Sequence, residues 1–128
     1  MKLRRVTAAY VLFLAAVVFV ADGGAGRAAF APLRALPLGD KLGHFVLMGA
    51  LSLLVNLCLS CRTLEVRGVR VLAGSLLVLP AVVLEEFSQL LTPHRSFDPV
   101  DLLFDALGIL TFGRLALRLK RAPVPRPA

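Results

Sequence analysis

Long apolar runs separated by short polar connections occupy most of the chain. The runs cover residues 6–21, 43–61, 71–91 and 99–117. Each is close to the roughly 20 residues that an α-helix needs to cross the hydrocarbon core of a bilayer, and the first is the shortest. No alternation of apolar and polar residues competes with this interpretation. The pattern therefore predicts an all-α bundle of four transmembrane helices.

Composition supports the same class of protein. Hydrophobic residues make up 58% of the 128 residues and charged residues 18%, against about 45–50% and about 25% in typical soluble domains. A water-soluble domain of this size cannot bury so much apolar surface. We therefore expect a polytopic membrane protein, with a single transmembrane domain at residues 1–118 and a basic, proline-rich cytoplasmic tail at residues 119–128.

The distribution of charge predicts the orientation of the helices. Most of the fifteen Lys and Arg residues precede the first run, connect the second to the third, or follow the fourth. The positive-inside rule then places both termini in the cytoplasm, an N-in and C-in arrangement. Every carboxylate except Glu65 falls on the opposite side. Because the basic residues are scattered along the chain, its net charge of +7 favours anionic membrane lipids as partners and not nucleic acid.

Two features of the sequence allow a second interpretation. MKLRR followed by the first apolar run also resembles a secretory signal peptide, but no convincing A-x-A cleavage site follows, which favours a retained first helix. Cys58 and Cys61 form a CxxC pair. Zinc would need further ligands on the same side of the membrane, so we interpret the pair as two thiols at an apolar helix end.

Polar residues occur at the predicted outer ends of the second, third and fourth helices. Their spacing of three or four positions places them on one face of each helix. They are Asp40, Lys41 and His44 in DKLGHF, Glu86 and Gln89 in LEEFSQ, and Asp101 and Asp105, followed by Gly108, in DPVDLLFDALG. Charges within a bilayer cost at least ~2.5–3.5 kcal/mol each, so we expect them to face the bundle interior or a cavity and to have partners.

Several of these residues also fit purely structural roles. Asp98, directly before Pro99, suits a helix N-cap, and Asp40 suits the same role in the second helix. His94 suits a solvated loop. The polar residues of the third and fourth helices also suit an interhelical hydrogen-bond cluster that only holds the helices together.

The functional alternative is a pocket that opens on the outer side. Its oxygen atoms suit a divalent cation, and Lys41 and Arg95 suit a phosphate. The candidate catalytic residues are His44, Glu86 and Asp101, because an imidazole beside a carboxylate can exchange protons with a substrate. No cofactor is predicted beyond this divalent cation, and the residues alone do not decide between an enzyme and a binding protein.

The order of these motifs resembles the VanZ-like family, which is named after a protein associated with teicoplanin resistance. The resemblance rests on DKLGHF at 40–45, E-x-x-Q at 86–89 and R-S-x-D-x-x-D at 95–101, followed by Gly108 and Gly113, and it covers about residues 40–113. Members are small bacterial membrane proteins that commonly have about four transmembrane helices. The resemblance implies multi-pass insertion in the bacterial cytoplasmic (inner) membrane and a link to glycopeptide susceptibility.

The family pattern also implies a ligand site, and this chain departs from the pattern at one position. Where the family usually has Asn, this chain has Asp105, for which we expect either protonation or pairing with Lys41 or Arg95. The leading hypothesis is a pocket for an anionic lipid-linked or cell-wall-related ligand. The alternatives are an enzyme that acts on a lipid-linked phosphate or cell-wall precursor, and a structural or assembly protein. The predicted ligand-binding residues are Asp40, Lys41, His44, Glu86, Gln89, Arg95, Asp101 and Asp105.

Overall fold

The computed structural model describes residues 1–93 and 95–121, most of which are helical. The elements in chain order are α1 (Lys2–Asp22), α2 (Gly26–Ala29), α3 (Ala31–Arg34), α4 (Gly39–Cys58), β1 (Thr63–Val66), β2 (Val69–Leu72), α5 (Ala73–Ser88), a 3-10 turn (Gln89–Leu91) and α6 (Pro99–Arg121). His94 and residues 122–128, assigned above to a loop and to the basic tail, lie outside the described residues.

Three helical segments are long and apolar enough to cross a membrane: Lys2–Asp22, Gly39–Cys58 and Ala73–Leu91. Their large apolar side chains point outward, since Leu12, Phe19 and Leu84 are 71%, 79% and 70% exposed. Polar side chains such as Asn56 and Glu86 are fully buried instead. An apolar exterior around a polar interior is the arrangement expected in lipid, and it indicates a membrane protein.

The fourth apolar run forms α6, which has 23 residues and continues to Arg121, beyond the predicted domain end at residue 118. Asp101 and Asp105 lie in its first two turns, and Arg118, Lys120 and Arg121 lie in its last turn. Because of its charges, α6 is not among the three segments apolar enough to cross a membrane. At 1.5 Å per residue it is nevertheless about 34 Å long.

The closest helix packing joins α4 to α6. A Cβ atom at Gly108 would overlap the carbonyl oxygen of Phe45, and one at Gly49 would lie 2.6 Å from the ring of Phe112. The rings of Phe45 and Phe112 pack edge to face, with centroids 5.8 Å apart. Glycine at these two positions therefore allows the two helices to approach closely.

Hydrogen bonds between small polar residues connect the middle of the bundle, a feature that was not predicted from the sequence. Asn56 Nδ2 donates to Ser75 Oγ at 3.0 Å and to Ser52 Oγ at 3.2 Å. The Ser52 hydroxyl donates to the Ile109 carbonyl at 3.0 Å. These buried contacts join α4, α5 and α6 away from water, where each hydrogen bond has no competing solvent partner.

A β-hairpin between α4 and α5 corrects the prediction of an all-α fold. Strands β1 and β2 pair antiparallel, with Glu65 opposite Arg70. Arg67 and Gly68 form the two-residue turn and both have positive φ, as such tight hairpins require. Helix α5 consequently begins at Ala73, whereas the apolar pattern placed Val71 inside a helix, because β-branched residues extend an apolar run in either structure.

The long helices bring the polar residues to two ends of the bundle. At the hairpin end, Thr7 Oγ1 lies 3.1 Å from Cys58 Sγ, and Lys120 Nζ donates to the carbonyl oxygen of Ser60. At the other end, which we call the acidic end, the start of α4 meets the end of α5 and the start of α6. The candidate site residues are gathered at the acidic end.

Candidate functional site

Lys41 connects the first turn of α4 to the start of α6. Its ammonium group donates to Asp98 Oδ2 at 2.5 Å and to Asp101 Oδ1, and it lies 3.6 Å from Asp40 Oδ2. Asp98 is also the N-cap of α6, since its Oδ1 accepts the Val100 N–H at 2.8 Å. The Lys41 ammonium, and then the Val100 N–H, stabilise the ionised form and hold the pKa of Asp98 below its usual value.

Asp40 does not cap α4, contrary to the structural role considered above. Helix α4 begins at Gly39 after Leu38, which has left-handed backbone angles, and this helix start has no side-chain capping bond. The Asp40 side chain is 48% exposed. Its position in the first turn still favours the helix, because an acidic group there interacts with the positive end of the helix dipole.

His44 lies between the two carboxylates of α6. Its Nδ1 is 3.1 Å from Asp105 Oδ1, a distance that suits an N–H donating to the carboxylate, and its Nε2 is 3.6 Å from Asp101 Oδ2. The expectation that Asp105 pairs with Lys41 or Arg95 is therefore wrong. Lys41 is already held by Asp98 and Asp101, and the spacing of His44 one turn further along α4 brings it beside Asp105.

Glu86 is fully buried at the end of α5. Its Oε2 accepts a hydrogen bond from Gln89 Nε2 at 2.8 Å, and its Oε1 accepts one from the backbone N–H of Asp98 at 3.0 Å. The first bond joins the two residues of the E-x-x-Q motif. The second fixes the loop that leads into α6, so Glu86 helps to position the Lys41 contacts as well.

Arg95 belongs to a different group of contacts. Its Nη1 donates to Glu85 Oε1 at 2.7 Å and to Asp22 Oδ1 at 3.4 Å. Asp22 ends α1, so this arginine connects the first helix to the end of α5. Asp22 was not among the predicted site residues, and its signal in the sequence is its place among the acidic residues of one side.

A cavity of about 310 Å³ lies between α1, the segment α2–α3 and α4. Apolar side chains line its walls, among them Leu14, Val17, Phe30, Leu47 and Met48. Ionisable side chains form the polar part of the lining: Arg27, Arg34, Asp40, His44, Glu85 and Arg95. The volume is at the lower end of the about 300–1,000 Å³ typical of small-molecule sites.

The position of this cavity differs from the predicted pocket. The sequence predicted a pocket among the ends of α4, α5 and α6, but ion pairs and hydrogen bonds fill the space around Glu86 and Asp101. Among the predicted ligand-binding residues, Asp40, His44 and Arg95 line the cavity. The others lie in the paired cluster behind it, and His44 connects the two, because it lines the cavity and also contacts Asp105.

One group of side chains at the acidic end has the composition of a metal site. Ligand atoms of His44, Glu86 and Asp105 all lie within 4.8 Å of one another. The three residues come from α4, α5 and α6, and the two carboxylates are buried. An imidazole nitrogen and two carboxylate oxygens form a common ligand set for divalent metal ions.

The motifs that resemble the VanZ-like family thus meet at one end of the bundle. Asp105 pairs with His44 there, and an Asn at this position would form that contact differently. Lys41 and Asp101 join the first motif to the third, and Glu86 joins the second to the backbone of Asp98. The family assignment itself stays a prediction. No protein family model matches the chain, and neither a curated protein nor a solved structure matches it significantly.

Proposed function

We propose that this chain is a VanZ-like integral protein of the bacterial cytoplasmic membrane that binds an anionic lipid-linked or cell-wall-related ligand. In this proposal α1, α4, α5 and α6 all cross the bilayer, with both termini in the cytoplasm and the acidic end outside. The length of α6, about 34 Å by residue count, is sufficient for a core of about 30 Å. The implied link to glycopeptide susceptibility belongs to the same proposal.

The observation that carries this proposal is the two-part lining of the cavity. Its apolar wall comes mainly from α1 and α4 and suits part of a lipid chain, while Arg27, Arg34 and Arg95 at its polar side suit an anionic headgroup. Arg95 is held in place by Glu85 and Asp22. Arg27 and Arg34 are both exposed, so they are accessible to a phosphate.

A binding measurement in detergent tests the proposal. Native mass spectrometry of the purified full chain would count bound undecaprenyl phosphate and phosphatidylglycerol, with phosphatidylcholine as the neutral-headgroup comparison. Arg34→Gln should weaken binding of the anionic lipids about tenfold, since a charged hydrogen bond contributes at least about 1.5 kcal/mol. Arg67→Gln, with the same change of charge in the hairpin turn, is the matched control. Equal losses in both variants would contradict a specific headgroup site.

A second pair of variants tests the apolar wall. Val17→Trp adds a large side chain to the cavity and should abolish binding of both anionic lipids. Leu12→Trp adds the same side chain on the exposed face of α1, where Leu12 is 71% exposed, and should leave binding unchanged. Retained binding in Val17→Trp would exclude this cavity as the lipid site.

An enzyme acting on a lipid-linked phosphate is the second candidate. It is favoured by His44, which lines the cavity and has Asp105 at 3.1 Å behind its Nδ1, as in a general base oriented by a carboxylate. Release of phosphate from undecaprenyl pyrophosphate by the purified protein, and its loss in His44→Ala, would establish this activity. Bound but unaltered lipid would favour the binding protein.

A purely structural role is the third candidate, and the dense pairing at the acidic end favours it. Glu86, for example, has a hydrogen-bond donor on each oxygen. If this cluster only holds the helices together, Glu86→Gln and His44→Ala should reduce the folded yield in detergent without a separate defect in lipid binding or envelope phenotype. Normal yield with lost binding would exclude that role.

A further inference from the structure

Three helices converge on one point at the acidic end through His44 on α4, Glu86 on α5 and Asp105 on α6. Their candidate ligand atoms lie within 4.8 Å of one another. Glu86 is 0% and Asp105 1% exposed. A carboxylate this deeply buried is stable only with a counter-charge or with a proton of its own.

Lys and Arg side chains among the described residues do not neutralise the carboxylates of Glu86 and Asp105. Lys41 contacts Asp98 and Asp101, and Arg95 contacts Glu85 and Asp22. Among the described residues, neither Glu86 nor Asp105 forms an ion pair with Lys or Arg. The two donors to Glu86, the Gln89 amide and the Asp98 N–H, are neutral. Of the basic side chains in the described part of the chain, the imidazole of His44 is therefore the one that lies beside this pair of buried carboxylates.

The geometry points to a divalent transition-metal site formed by His44, Glu86 and Asp105. One imidazole nitrogen with two carboxylate oxygens suits Zn²⁺, Mn²⁺ or Fe²⁺, and the imidazole makes Ca²⁺ and Mg²⁺ less suitable. Bonds of about 2.1 Å place neighbouring ligand atoms about 3.4 Å apart in a tetrahedral site. The three ligand atoms lie within 4.8 Å of one another. Metal binding would therefore require side-chain rotations that bring them closer together.

Neighbouring residues hold the proposed ligands in the way that metal sites commonly show. His44 Nδ1 faces Asp105, while its Nε2 lies 3.6 Å from Asp101 Oδ2. With the metal ion on the Nδ1 side, the Nε2–H faces the Asp101 carboxylate at 3.6 Å, and a small rotation of the ring would let Asp101 accept this hydrogen and fix the imidazole. Lys41 in turn contacts Asp101, and Gln89 fixes Glu86. This assignment gives Asp101 a positioning role and does not depend on the lipid proposed above.

Metal binding by the full chain in detergent tests the inference directly. After dialysis against a chelator, titration with Mn²⁺, followed by the loss of the free-ion signal in electron paramagnetic resonance, should show one site per chain, and Zn²⁺ should displace the bound Mn²⁺. Glu86→Gln and Asp105→Asn should each weaken binding at least about tenfold, because even residues outside the ligand set typically change affinity about 10–100-fold. The matched control is Glu65→Gln, which makes the same change at an exposed carboxylate of the hairpin and should bind as the unaltered chain does.

A spectroscopic measurement on the unaltered chain keeps the inference testable if a variant fails to fold. Pulsed electron paramagnetic resonance of bound Mn²⁺ should show coupling to an imidazole nitrogen, which only His44 supplies among the three ligands. Absence of Mn²⁺ and Zn²⁺ binding at concentrations up to about 1 mM would overturn the site. Bound Mn²⁺ without nitrogen coupling, or equal weakening by Glu65→Gln and Glu86→Gln, would also overturn it.

Discussion

Lys41 is the residue that neutralises the start of α6. It contacts Asp98 and Asp101, and its side chain is 16% exposed. Lys41→Met keeps most of the side-chain volume but leaves Asp101, which is 10% exposed, without its cation. Because removal of one partner from a buried ion pair costs about 3–5 kcal/mol, we expect Lys41→Met to lower the free energy of unfolding in detergent by about 3 kcal/mol. Thermal or denaturant unfolding followed by circular dichroism measures this change.

The control for Lys41 is the same substitution at the other end of the bundle. Among the described residues, the one hydrogen-bond partner of the Lys120 ammonium is the Ser60 carbonyl, at an exposed site, so Lys120→Met should change the free energy of unfolding by no more than about 0.5 kcal/mol. Adding Asp101→Asn to Lys41→Met should recover part of the lost stability, because the two residues are coupled. No recovery in the double variant would contradict the ion pair as the cause.

Asp98 gives this end of the molecule a dependence on pH. Its folded-state pKa is held below the usual value of about 3.9, first by Lys41. A lowered carboxyl pKa adds stability above the unfolded-state value, and this contribution disappears as the pH falls through the folded-state pKa. The Asp98→Asn variant keeps a good N-cap residue but loses the charge. It should therefore melt below the unaltered chain at pH 7.

The same comparison at low pH separates charge from capping. The difference in melting temperature between the unaltered chain and Asp98→Asn should shrink as the pH falls below the unfolded-state pKa of about 3.9, and it should vanish once the pH is below the folded-state pKa. The difference at pH 7 is expected to be small, since the Asp98 side chain is more than a third exposed and solvent screens it. A difference that stays constant down to pH 2 would mean that the charge of Asp98 has no part in it.

Among the elements, the α4–α6 pair depends on the absence of a side chain at Gly108. A Cβ atom there overlaps the Phe45 carbonyl oxygen, which belongs to the backbone of the partner helix and cannot rotate away. We expect Gly108→Ala to lower the free energy of unfolding by about 1–3 kcal/mol, as overpacking typically does. Chemical unfolding in detergent, with helix content as the signal, measures this loss.

Gly43→Ala is the matched control for this contact. It adds the same atom to α4, but the Cβ would meet only the flexible end of the Leu33 side chain, at 3.3 Å. Both substitutions gain up to about 1 kcal/mol of helix propensity, so their difference isolates the helix contact. Similar stability in the two variants would show that α4 and α6 do not pack as closely at Gly108 as the structure has them.

The elements themselves could largely be predicted from the sequence. The apolar runs locate α1, α4, α5 and α6 within a few residues, because a helix that packs in an apolar environment needs a long apolar run. The hairpin was missed because Val69 and Val71 are β-branched and adjoin the next apolar run, so apolar continuity alone does not separate strand from helix. Positive φ at Arg67 and Gly68 marks the turn, and only Gly68 gives a sign of it in the sequence.

The candidate site could be predicted only in part, for a similar physical reason. Spacing along one helix shows which of its residues share a face. The positions of the apolar runs place His44 and Asp105 at the same end of the bundle. It does not show how far each helix is rotated, and this rotation decides that Asp105 meets His44 while Lys41 meets Asp101. The cavity depends on how α1 and the segment α2–α3 pack against α4, for which the sequence carries no periodic signal.

At the scale of the whole molecule, the two ends of the bundle differ in charge. This difference predicts which end lies in the cytoplasm, and the prediction can be tested by labelling. Thr7 and Cys58 lie together at the hairpin end, as do Lys120 and Ser60. The proposed orientation puts this basic end in the cytoplasm. In a background with Cys58→Ala and Cys61→Ala, single cysteines can be introduced as Leu36→Cys near the acidic end, Arg67→Cys in the hairpin and Leu119→Cys near the end of α6.

Labelling of these three variants with a membrane-impermeant maleimide gives a distinct result for each arrangement. Four spans with both termini inside predict that Leu36→Cys reacts in intact cells, because Leu36 is 60% exposed beside the acidic end. Arg67→Cys and Leu119→Cys should react only after the cells are permeabilised. The reverse pattern would invert the molecule and expose its acidic end to the cytoplasm. Reaction of Leu119→Cys together with Leu36→Cys in intact cells would mean that α6 does not cross, since its two ends would then lie on one side of the membrane.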